Sequence, residues 1–153
     1  FQVGLINLAL SFIGAKAPEA LLEAADSDVA EVRVAAISAL GDQIQKSDDL
    51  RAKNRVFQAL DDSSAEVRAE AVTLIGKSCD AEDVENMLSR KLVDQDTQVR
   101  KNTAMALMKL EAFNTIESIE AAKSTEKDKS VQAVFNVAIN ILSRDLEEKQ
   151  ESE

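Results

Sequence analysis

Three arginines, Arg33, Arg68 and Arg100, each follow a valine and stand 35 and then 32 residues apart. A guanidinium presents a rigid fork of donors that matches carboxylates and phosphates. A periodic row of them either binds an anion along one edge or is held by the protein's own acids. The carboxylates Glu82, Asp83 and Glu85 could bind calcium or act as an acid and base pair. They sit at the start of an expected helix without loop-ligand spacing, where negative charge simply complements the positive end of the helix. Cys79 falls in the turn after Gly76-Lys77-Ser78 with no base near it in sequence, so it reads as incidental although a helix start lowers a thiol pKa. The chain has no histidine, which removes Ser-His-Asp triads, Cys-His dyads and metal-binding His pairs together. Its four glycines are isolated and build no phosphate loop. The expectation is therefore no catalytic residue, no metal, no cofactor and no enzymatic role.

The charge is −10, from 28 acidic and 18 basic side chains. That balance speaks against a phosphate-backbone footprint and against adsorption on anionic lipid, and for a protein or peptide partner of basic or amphipathic character. Hydrophobic residues make up 45% of the chain but aromatics only 3%, all Phe, with four Gly and one Pro. Small aliphatics without turn punctuation predict an all-α chain. One domain is expected over residues 1–144, followed by a solvated acidic tail over 145–153. The single cysteine permits no internal disulfide and fits a reducing, cytoplasmic setting. The first fourteen residues, FQVGLINLALSFIG, lack the basic start and cleavage site of a leader and are too short to span a bilayer, so no membrane insertion is expected of them. A chain starting at this Phe reads as a piece of a longer protein.

Self-similarity organises the rest. Val32-Arg33 followed by Ala36, Ala39, Leu40 and Gly41 recurs as Val67-Arg68 with Ala71, Leu74, Ile75 and Gly76. It returns as Val99-Arg100 with Thr103, Ala106 and Leu107, and as Val131-Gln132 with Phe135, Ala138 and Ile139. Leu5, Ala9, Phe12, Ile13 and Gly14 carry the same pattern at the start. The offsets 0, +4, +7 and +8 share one face of a helix. Acidic, hydroxyl-bearing stretches precede each marked helix and suit its first turn. Gly41 and Gly76 fall where these helices should end in the left-handed conformation. Second helices are expected over Pro18–Ala25 and roughly over Asp48–Leu60, Ala81–Val93 and Thr115–Lys123. The repeats then divide as 1–25, 26–60, 61–93, 94–125 and 126–144.

The pattern D-x-D-x-x-V-R-x-x-A-x-x-A-L-G, matched in register by Asp94, Asp96, Val99 and Arg100, resembles the short bacterial HEAT-like repeat, also found in phycobilisome lyase subunits. The resemblance covers about nine-tenths of the chain and departs from the pattern at Gln132 and Asn140. It implies an armadillo-like, right-handed α-solenoid of stacked helix pairs. In that family the repeated Arg pairs with an Asp of a neighbouring turn, which makes Arg33, Arg68 and Arg100 with Asp62 and Asp94 an inter-repeat ladder.

In such a stack the marked helices would line a convex face and the second helices a concave recognition face. Polar residues there, namely Asp48, Arg51, Arg55 and Gln58, then Glu82, Asn86 and Ser89, then Glu117 and Ser118, are the candidate partner-binding positions. The expected function is a non-catalytic interaction or scaffolding segment. The alternative that the resemblance implies is a subunit of a phycobilin lyase or related pigment-handling protein, for which the chain offers no Trp, Tyr or His to line a tetrapyrrole site. DNA-lesion recognition, a third use of HEAT-like folds, would demand a basic face. Val3, Leu5, Ile6, Leu8, Leu10, Phe12 and Ile13 make the first helix apolar on nearly all sides, so self-association through that end is expected.

Overall fold

The computed structural model describes residues 18–47 and 49–152. The apolar first helix and the self-association expected of it lie outside those residues, as does Asp48. Every element among the described residues is helical. The α-helices are α1 (Pro18–Ala24), α2 (Ala30–Ser47), α3 (Leu50–Gln58), α4 (Ala65–Ser78), α5 (Ala81–Ser89), α6 (Thr97–Lys109), α7 (Ile116–Thr125) and α8 (Lys129–Ser152). Single 3-10 turns follow α3 and α5, at Ala59–Asp61 and Arg90–Val93, and another precedes α7 at Phe113–Thr115. The fold is an α-solenoid of helix pairs. Two compact units divide between Ser78 and Cys79.

The first unit builds its core from Leu21 of α1, Ala36, Ile37 and Leu40 of α2, Val56 of α3, and Val67, Val72 and Ile75 of α4, all essentially without solvent contact. The second buries Val84 and Leu88 of α5, Val99 and Leu107 of α6, Ile119 of α7, and Val131, Phe135 and Leu142 of α8. The spacings are those of one helical face. Thr103, in a core position of α6, donates its hydroxyl to the Val99 carbonyl at 2.8 Å, so its burial leaves no polar atom unmatched. Where a solvated tail is expected from Asp145, α8 continues to Ser152. Lys149 in that stretch lies 5.5 Å from the Phe113 ring centroid, a cation–π contact that ties it to the body of the unit.

The acids before each marked helix divide their work. Asp96 accepts from the amides of Gln98 and Val99, and Asp128 from those of Ser130 and Val131, which caps α6 and α8. The acid two residues earlier closes the turn: Asp62 accepts from the Ser64 amide, Asp94 from the Asp96 amide, and Glu126 from the Lys127 and Asp128 amides. These three stand 32 residues apart.

Onto this frame the arginines are fastened. Arg33, Arg68 and Arg100 each donate Nη1 to the carbonyl six residues back, at Ser27, Asp62 and Asp94, over 2.8–2.9 Å. Gln132 makes the same bond to Glu126 through its amide. Arg33 also grips Asp62 through two bonds of 2.9 Å, and Arg100 grips Glu126 at 2.6 and 3.0 Å. The side chains in both pairs are at most 13% exposed. Burial acts to raise the Asp62 carboxyl, but the Arg33 hydrogen bonds and the Ser64 amide outweigh it and hold the group below its usual range. The Glu126 carboxyl is lowered chiefly by its hydrogen bond from Arg100.

Neither Gly41 nor Gly76 ends a helix in the left-handed conformation, correcting that expectation: both lie inside helices, and no described glycine has positive φ. Gly41 is needed for contact instead. A Cβ there would come within 2.5 Å of Leu74 Cδ2 in α4, so the missing side chain lets α2 and α4 close on one another. Among the described residues the left-handed one is Glu111, at φ 51°. Its amide bonds Met108 O and the Ala112 amide bonds Leu107 O, both at 3.1 Å, which is the Schellman closure of α6 made without a glycine.

Two opposite effects on stability are expected. Gly41→Val should lower the unfolding free energy by about 1–3 kcal/mol through overpacking against Leu74, whereas Glu111→Gly should raise it by about 1 kcal/mol by relieving the left-handed backbone. Urea denaturation followed by far-UV circular dichroism reads both. Arg33→Ala should cost about 3 kcal/mol, because it strands a largely buried Asp62. Asp62 and Glu126 have folded pKa values below their unfolded ones, about 3.9 and 4.3. Their contribution is present above that range and is lost as pH falls through the lowered folded values. Thermal melts taken from neutral to acidic pH should show that loss, and it should shrink in Asp62→Asn.

Candidate functional site

The second helices place their polar residues unequally. Arg51 of α3 is exposed and reaches Glu19 at 3.3 Å and Asp49 at 3.6 Å. Arg55, one turn on, is drawn inward: it donates to Asp26 Oδ1 at 3.2 Å and to the Ala25 carbonyl, which fastens α3 to the turn after α1. Gln58 is exposed. In the second unit Glu82 and Asn86 of α5 and Glu117 and Ser118 of α7 face solvent. The Ser89 hydroxyl turns back onto the Glu85 carbonyl at 2.7 Å. Arg55 and Ser89 thus hold inward partners and Arg51 holds Glu19 and Asp49 at the surface, while Gln58, Glu82, Asn86, Glu117 and Ser118 are exposed.

Two of the grooves in the second unit contrast in their chemistry. The larger, about 710 Å³, is lined by Glu82, Glu85, Glu111, Phe113, Asn114 and Lys149 among others. Asn114 bonds Glu85 across it at 3.1 Å, and the strained Glu111 sits at its edge. The smaller, about 310 Å³, lies between α6 and α8 and is lined by Met105, Met108, Ala133, Val134, Val137 and Ala138. Met105 is 43% and Val137 52% exposed, a substantial apolar surface to leave open to water. Among the described residues no group of three or more His, Cys, Asp and Glu is placed to hold a metal, and no helix is long and apolar enough to cross a membrane.

Sequence reasoning missed both grooves. Met105 and Val137 fall between the periodic core positions and on different repeats, so their adjacency depends on how α6 packs against α8. Glu126 also escaped notice as the partner of Arg100, being Glu where the pattern has Asp. Its distance of 32 residues from Asp94 was the signal that could have found it.

Comparison with known proteins places this architecture. The model of HEAT repeats matches residues 53–140. The bilin biosynthesis protein MpeU of Synechococcus sp. (strain WH8020) is 44% identical over 144 residues, covering 94% of this chain and 48% of the relative, so the chain spans about half the length of that protein. A crystal structure of an engineered protein shares the fold at 21% identity with a TM-score of 0.58, covering 90% of this chain and 67% of that one. The expectation of a chain without enzymatic role does not stand, because kinship at this level is with a biosynthesis protein. The missing histidine excluded particular mechanisms and not catalysis as such. With its model matched over more than half of the sequence, the chain belongs to the HEAT-repeat family.

Proposed function

We propose that the chain is part of a bilin-handling protein, a phycobilin lyase or a close pigment-handling relative, whose repeats hold an open-chain tetrapyrrole and the protein that receives it. One observation carries the reading: the 44% identity to a bilin biosynthesis protein extends over 94% of the chain, so it embraces the arginine-fastened frame and the groove between α6 and α8. A bilin is a flat conjugated molecule with two propionate carboxylates and several ring N–H donors. Binding it calls for an apolar surface, nearby cations and hydrogen-bond acceptors, and α6 and α8 offer the first of these. The absence of Trp, Tyr and His leaves methionine, valine and phenylalanine to pack against the conjugated rings, and a thioether makes favourable contacts with such a π-system.

A protein acceptor is the natural occupant of the second helices. Arg51, Gln58, Glu82, Asn86, Glu117 and Ser118 supply exposed groups of both signs, suited to many modest polar contacts rather than to a deep pocket. Adding phycocyanobilin to the chain should shift its long-wavelength absorbance and induce circular dichroism in that band. A bilin spectrum left unchanged by excess chain would overturn the proposal.

A further inference from the structure

Resting on the bilin-handling reading, we infer that the apolar groove between α6 and α8 is the seat of the tetrapyrrole, with the lysines at its rim attracting the propionates. Charge decides between the acidic groove and the α6/α8 groove. The larger one is bordered by the carboxylates of Asp80, Glu82, Glu85 and Glu111 against a single ammonium, that of Lys149, and so repels a dicarboxylate. The α6/α8 groove stands on two helical segments of opposite character to the rest of the chain. Residues 97–109 and 129–144 contain Arg100, Lys101, Lys109, Lys129 and Arg144 and no Asp or Glu at all, within a protein of net charge −10.

Helical register brings most of that charge to the groove. Lys101 is one turn before Met105 and Lys109 one turn after it; Lys129 is one turn before Ala133. Arg100 is occupied by Glu126, and Arg144 pairs at the surface with Asp145 and Glu148. Lys101 lies near enough to Asp128 to help hold that carboxyl below its usual value, behind the larger effects of the Ser130 hydroxyl and the helix amides. Lys109 and Lys129, both exposed, are the chief free attraction for a carboxylate. Six aliphatic and thioether side chains then take the face of the chromophore.

The test is titration of phycocyanobilin with the chain, read by bilin absorbance and induced circular dichroism at low and high salt. Val137→Glu and Met105→Glu each place a carboxylate where the chromophore must lie and are expected to weaken binding about tenfold or more. Both positions are about half exposed, so melting curves should stay close to those of the parent chain. Lys109→Glu combined with Lys129→Glu should weaken binding chiefly at low salt, and Asp80→Asn with Glu85→Gln should not weaken it. Equal affinity in all variants would overturn the placement and leave the bilin-handling reading standing. No binding by the unaltered chain would overturn both. A dimer that Val137→Glu converts to monomer, with bilin affinity unchanged, would assign the groove to a second copy and likewise overturn the inference.

Discussion

A planar guanidinium that serves two turns at once is the interaction on which the rest depends. Arg33 binds the Ser27 carbonyl in the turn before its own helix and Asp62 in the turn that opens the next repeat. Arg100 does the same with Asp94 O and Glu126. Helix pairs stacked on alanine and valine have smooth contact surfaces, and apolar burial alone sets their separation better than their angle or register. A bidentate bond resists both sliding and rotation. The carboxylate is itself immobilised by backbone amides, so the guanidinium meets a fixed target, and the desolvation of both ions is offset by several satisfied bonds.

That arrangement confines the chain's electrostatics. Acids gather in the turns, where they cap helices and receive arginines, and the larger groove of the second unit is acidic as well. The faces of α6 and of the first part of α8 are left with bases alone. Local inversion of sign matters more to a small anionic ligand than the net charge does, because its contacts lie within a screening length of the surface. A strongly acidic protein can therefore present a dicarboxylate with an attractive strip, provided that strip is built from elements whose acids have been moved to their ends.

The repeat period, the helix pairs and the core face were legible because each is a local regularity: Val67, Ala71, Leu74 and Ile75 state a helical face whatever surrounds them. The role of Asp62 followed from the resemblance, and its geometry bears the form of a forked bond. What could not be read was set by contacts between elements. Gly41 looked like a helix terminus but is a seat for Leu74, and Glu111 takes a conformation that its own side chain disfavours. The absence of histidine was given too much weight, since a residue count speaks to mechanisms that need that residue and to no others.

Consider finally that Arg33 and Arg100 each reach back to their own turn and forward to the acid that opens the next. A segment cut at two successive acids carries one complete arginine together with the acid that the preceding repeat will need. Copied in tandem, it would arrive with every polar partner already provided at both new junctions, and no compensating change would be required elsewhere. The bonding scheme thus makes lengthening by duplication an easy evolutionary step, and shortening by whole repeats equally so.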